Sequence, residues 1–277
     1  MGAAPTILLR DDAALRVFDT GQGRLPVVFQ HGLGGDAAQV AQNFPDGPSY
    51  RRLTVECRAQ GGSGAGSKRP FSIAMFADDV LAAADAAGLD RFVAGGISMG
   101  AAIALQLAAR HPDRVAGLVL VRPAWAFEAA PQNMRPYVEV AELIRSRPLS
   151  QARDIFAASA TAARFHTEAP DNLASLLGFF ARENAPVFAE VMQAIAEDGP
   201  GVTRAAAAGL AFPTLVIGSG IDLVHPLAAA RSLADAIPNA TFAEVMPKAT
   251  DKECHFAEIR AAIADFLDMN FNNQDQS

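Results

Sequence analysis

The sequence predicts an α/β protein, a mostly parallel eight-stranded sheet with helices on both faces and an inserted helical segment. Three observations predict it. Short, continuously apolar runs alternate with helical spacing, as strands buried on both faces of a parallel sheet do. The run from Phe92 to Gly95 enters a tight glycine turn that opens directly into a helix. The alternation stops between Pro123 and Ala211, where no convincing strand occurs. The 277 residues are 51% hydrophobic and 19% charged, which excludes a disordered chain and fits a sizeable core.

In chain order, residues 5–10 and 14–19 read as strands flanking an Asp11-Asp12 turn. Leu25 to Gln30 is a compact apolar strand ending at His31-Gly32, and Arg52 to Cys57 is the next. Ile73, Phe76, Val80, Leu81 and Ala84 recur at helical spacing across Ile73 to Ala87. Arg91 to Gly95 is a strand and Met99 to Arg110 a helix, and Val115 to Val121, Pro213 to Ile217 and Thr241 to Met246 are strands. The last helix runs from Cys254 to Met269. Helical stretches at 133–146, 149–165, 170–181 and 184–197 fill the insertion. This divides the chain into a core of 1–122 and 212–269, a helical cap of 123–211 and a flexible tail of 270–277.

Composition narrows the function classes. The net charge is −7 with no Lys/Arg cluster, so nucleic acid is not an expected partner. No apolar run is long enough for a membrane span, and the start of the chain lacks a signal-peptide pattern. Two cysteines make no disulfide framework, and the expected compartment is the cytoplasm. The glycines at 61, 62, 64 and 66 are not a phosphate loop, because Gly66-Ser67-Lys68 has the wrong order. No metal-ligand spacing occurs among the five histidines and two cysteines, and no cofactor is expected.

The chemistry-bearing motif is Gly96-Ile97-Ser98-Met99-Gly100, placed between a strand and a helix. In that context G-x-S-x-G is a nucleophile elbow. A strained turn lifts the serine into a cleft, flanking glycines permit close strand–helix approach, and the following N–H faces a developing oxyanion. A serine nucleophile needs a base, and the base needs an orienting acid.

With Gly96 to Trp125, His31-Gly32-Leu33-Gly34-Gly35 and Arg58-Ala59-Gln60-Gly61-Gly62-Ser63, the chain resembles the α/β-hydrolase fold superfamily. Within it the chain looks most like the branch of 3-oxoadipate enol-lactonases and related small-ester serine hydrolases. Ala59 stands where that family has glycine, and Glu56 where it has aspartate. The resemblance implies Ser98 as nucleophile, Asp222 as acid, and the N–H groups of Leu33 and Met99 as the oxyanion hole. It also implies a base after the last strand, soon after Pro247, where His255 arrives about four residues late, roughly 6 Å along a helix axis. His255 is the expected base; His225 reads as a loop residue at a position the family does not use as base, and if His255 is not the base, His225 or no histidine takes the role. His31, Trp125 and Arg122 are candidate substrate-binding residues, with Trp125 in an apolar cap pocket and Arg122 near a substrate carboxylate.

The expected function is therefore hydrolysis of a small carboxylic ester or lactone through an acyl-enzyme. C–C bond hydrolysis or acyl transfer by the same triad stays open. So does a ligand-binding protein that kept the fold and lost turnover.

Overall fold

The computed structural model describes residues 4–272. The chain runs β1 (Thr6–Arg10), β2 (Ala13–Asp19), β3 (Leu25–Gln30), α1 (Ala37–Asn43), β4 (Tyr50–Val55), α2 (Ile73–Ala86), β5 (Phe92–Ile97), α3 (Met99–Arg110) and β6 (Val115–Val121). Six helices follow: α4 (Arg135–Ser146), α5 (Leu149–Ala157), α6 (Ala160–Glu168), α7 (Pro170–Gly178), α8 (Ala185–Ala196) and α9 (Arg204–Ala208). The chain then returns through β7 (Thr214–Ser219), α10 (Leu227–Ala236), β8 (Ala240–Val245) and α11 (Lys252–Leu267).

The eight strands form one sheet in the order β1-β2-β4-β3-β5-β6-β7-β8. β2 is antiparallel to both β1 and β4, and all other pairs are parallel. The expected fold class is borne out. The central strands are buried on both faces, which is why β5, β6 and β7 read as unbroken apolar runs. One face packs on α2, α3 and α10 through residues such as Phe76, Val80, Leu105, Leu107 and Leu233. The other packs on α1 and α11 through Val40, Ile259, Ile263 and Phe266.

Differences from the sequence reading have local causes. The stretch 149–165 is two helices, because Ser159 caps a fresh start by accepting the Ala162 N–H at 3.1 Å. Helix α11 begins at Lys252 rather than Cys254, since the Asp251 carboxylate accepts the Cys254 N–H at 3.0 Å. Helices α1 and α10 were not anticipated; α1 is short, and α10 buries only Ala230, Leu233 and Ala236. Of the tail expected at 270–277, Asp268–Asn272 forms a helical turn continuing α11, with Phe271 against Phe266, and 273–277 lie outside the described residues. Among the described residues, no helix is long and apolar enough to cross a membrane.

Candidate active site

Ser98 stands between β5 and α3 with φ 55° and ψ −109°, left-handed backbone that a residue with a side chain adopts only under strain. The flanking glycines make that turn possible. A Cβ on Gly100 would lie 2.3 Å from the Gln30 carbonyl oxygen, and one on Gly96 would lie 2.5 Å from the Gly100 carbonyl carbon. Only bare backbone lets α3 start this close to β3 and β5. The turn aims the Ser98 hydroxyl beyond the carboxyl ends of the parallel strands, the usual position of sites in open α/β sheets.

The histidine that meets Ser98 is His225. Its Nε2 lies 2.9 Å from the Ser98 Oγ. Its Nδ1 lies 2.9 Å and 3.0 Å from the two oxygens of Asp222. An ionised carboxylate only accepts, so Nδ1 carries the proton and Nε2 is left to accept the serine hydroxyl. Asp222 and His225 sit three residues apart on the loop after β7. That loop is stiffened by its own carboxylate, since the backbone N–H groups of Val224 and His225 both donate to Asp222 Oδ1. Asn172 from α7 adds a second brace by accepting the N–H of Leu223 at 2.9 Å and of Val224 at 3.2 Å.

The expectation of His255 as Ser98's partner is corrected by this geometry. Helix α11 starts just before His255 and turns its ring to the backbone of the chain after β8. Its Nδ1 donates to the Met246 carbonyl at 2.6 Å, and its buried Nε2 has no partner among the described residues. Burial holds this imidazole below its ordinary pKa.

Arg122 closes the back of the site. Its guanidinium bonds Asp222 through Nε at 3.1 Å and through Nη2, and Nη2 also lies 3.2 Å from His225 Nδ1. Burial alone would raise the Asp222 carboxyl, but His225 and Arg122 together hold it well below the usual carboxylate range. For His225, burial pushes the pKa down, and Arg122 adds to this against the opposing pull of Asp222. Imidazole at this position is neutral, the form that accepts a proton, around pH 7. Arg122 lines the cavity as expected of a site residue, but its guanidinium is engaged by Asp222.

The loop after β3 faces Ser98 from the other side. Its Gly32 N–H donates to Gln39, its Gly34 N–H donates to Gln60 at 2.7 Å, and its Gly34 carbonyl accepts from Arg182 at 2.8 Å. Among the described residues, no hydrogen bond engages the N–H of Leu33 or of Met99. Two donors near Ser98 are thereby free, held by a loop braced on both sides. The Arg58-Ala59-Gln60 segment supplies part of the brace. Ala59 has φ 58°, a backbone conformation that favours glycine. Glu56, in the aspartate position, accepts the Gly62 N–H at 2.7 Å.

Two candidate substrate-binding residues lie elsewhere than expected. His31 is fully buried: it accepts the Cys57 N–H at Nε2, 2.9 Å, and donates from Nδ1 to the Gly32 carbonyl, 2.8 Å. Its role is to tie the β3 and β4 loop ends together, with no ring atom left for a ligand. Trp125 is buried too, its indole N–H donating to the Asp198 carbonyl at 3.0 Å. The cavity over Ser98, about 100 Å³, is instead shaped by Leu33, Tyr137, Ser175, Phe179 and Val224. Lys248 and Asp171 also line it, partly exposed and ion-paired at 2.5 Å. Neither was singled out by the sequence reading.

A parallel sheet that offers a strained serine at its carboxyl edge, beside an insertion before the acid-bearing strand, defines an enzyme of the α/β-hydrolase class. A family profile described as the alpha/beta hydrolase fold matches residues 26–259. The chain belongs to that family. A protein of Klebsiella pneumoniae strain 342 with the provisional name carbamate hydrolase RutD is 31% identical over 231 residues, covering 79% of this chain and 82% of that protein. The enol-lactonase from Burkholderia xenovorans LB400 superposes with a TM-score of 0.71 at 25% identity, over 95% of this chain and 99% of the other. A thermophilic esterase from Thermogutta terrifontis, with malate bound, gives a TM-score of 0.70 at 23% identity over 96% and 99%.

Proposed function

We propose that the chain is a serine-dependent hydrolase of a small carboxylic ester or lactone, with Ser98, His225 and Asp222 as its triad. The observation that carries this reading is the continuous hydrogen-bond chain from Ser98 through His225 to Asp222, both links at 2.9 Å. Ser98 Oγ attacks the carbonyl carbon as its proton passes to His225 Nε2. The oxyanion is held by the N–H groups of Leu33 and Met99. The tetrahedral intermediate collapses, the C–O bond to the leaving group breaks, and His225 returns its proton to the leaving alkoxide. Water then repeats the cycle on the acyl-enzyme. Asp222 keeps the imidazole in the productive tautomer and stabilises its charged form.

We read the helices between β6 and β7 as a cap, since Tyr137 and Phe179 bring them over the serine. A carbamate is a second substrate class, favoured by the names of the relatives; its carbonyl is attacked in the same way. A fluorophosphonate probe should label wild type on Ser98, and p-nitrophenyl acetate turnover should vanish in Ser98→Ala. Label on another residue, or turnover surviving in Ser98→Ala, refutes the nucleophile.

A further inference from the structure

Three ionic side chains line the cavity over Ser98: Arg122, Lys248 and Asp171. Asp222 is behind them, its side chain 4% exposed and bonded to Arg122 and His225. Arg122, 12% exposed, is thus neutralised from the protein side. It cannot turn to a ligand without releasing the acid that orients His225. Lys248 differs. Its side chain is 23% exposed, and its Asp171 partner, on a different element, is 30% exposed. Solvent screens such a pair, so little free energy opposes its exchange for another anion. Lys248 follows Pro247 directly after β8, the loop in which the sequence reading had expected the catalytic base. That loop presents a cation to the cavity instead, in a protein whose net charge is −7.

The geometry points to Lys248 as the recognition group for an anionic substituent on the substrate, making the preferred substrates small esters or lactones that carry a carboxylate. In the unliganded site Asp171 holds the ammonium at the cavity wall. A substrate carboxylate takes the place of Asp171 on Lys248 while the ester carbonyl settles at Ser98. Asp171 then repels an anion that fails to reach Lys248, which sharpens selection by length. This inference rests on the serine-hydrolase reading of the same site.

The test pairs charged esters with uncharged isosteres: monomethyl malonate with methyl malonamate, and monomethyl succinate with methyl succinamate. In wild type, kcat/KM should favour the charged member of at least one pair by about tenfold or more. Lys248→Met should erase that ratio chiefly through KM, Lys248→Arg should restore part of it, and Asp171→Asn should raise it. A ratio of one in wild type overturns the proposal. So does a ratio that Lys248→Met leaves intact, or an equal loss on both members, which would make the ion pair a structural latch. Calorimetric binding of monomethyl succinate and methyl succinamate to Ser98→Ala separates this from the catalytic reading. Charge-selective binding that Lys248→Met removes supports the recognition group even where no ester is turned over.

Discussion

His225→Ala and His255→Ala should part company, and the structure sets the size of the difference. His225 Nε2 is the acceptor at 2.9 Å from Ser98 Oγ, and burial together with Arg122 keeps it unprotonated at pH 7. Its removal leaves the serine hydroxyl with no base, a loss on the order of 10³-fold in kcat, or about 4 kcal/mol of transition-state stabilisation. The fold should survive, because Asp222 keeps Arg122 and its two backbone donors. His255→Ala loses one bond to the Met246 carbonyl and some buried volume, but also removes an acceptor that has no partner. The net cost is about 1–2 kcal/mol of stability, with kcat within about threefold of wild type. Initial rates on p-nitrophenyl acetate, with thermal melts on the same samples, measure both quantities. The double variant Ser98→Ala/His225→Ala should be little worse than either single, as for residues acting as one unit. A collapse of kcat in His255→Ala with His225→Ala near wild type refutes the reasoning.

Arg122→Met removes the cation 3.2 Å from His225 Nδ1, so the histidine pKa rises and the acid limb of kcat/KM moves to higher pH; an unmoved limb would show that Arg122 does not govern it. Gly100→Ala sets a Cβ 2.3 Å from a backbone carbonyl oxygen and should cost about 3 kcal/mol or more, read as a lowered midpoint in denaturant. Stability should fall as pH drops below about 6.5. His31, His225 and His255 are buried with pKa values below that of the unfolded chain, so the unfolded state binds more protons there. Each adds up to about 1.4 kcal/mol per pH unit until its folded pKa is reached. Asp222, shifted below the carboxylate range, loses its contribution only near pH 4 and lower, outside a melt series from pH 7 to pH 5.

The sheet was legible because its central strands are buried on both faces and its turns carry glycine where backbone crowds backbone. Gly96 and Gly100 stand for a contact distance, which is why the elbow could be read from five letters. Asp222 follows β7 and bonds the histidine that meets Ser98. The histidine that meets Ser98 is not the expected one, for a physical reason. Position after the last strand pointed to His255, but whether a ring reaches a serine depends on where α11 starts, and that is decided by the Asp251 cap. The available signal was the three-residue spacing of Asp222 and His225, which sets carboxylate and imidazole on one turn. His31 and Trp125 were beyond reach for another reason: residue type shows a capacity to bind, and only packing shows that a backbone group already uses it. The Lys248–Asp171 pair joins residues far apart in sequence, and no local pattern marks it.

In the proposed triad acid and base share a single turn, so the machinery hangs on two stretches of chain, the elbow after β5 and the loop after β7. On that proposal the terminal β8–α11 unit contributes packing and Lys248. Grafting the heptapeptide from Gly220 to Pro226 should carry proton acceptor and orienting carboxylate together into a recipient with an arginine just after the strand equivalent to β6, as Arg122 is here. A search that takes the histidine beyond the final strand as the base would settle on His255 in this chain, whereas one for Asp-x-x-His-Pro downstream of a G-x-S-x-G turn leads to His225.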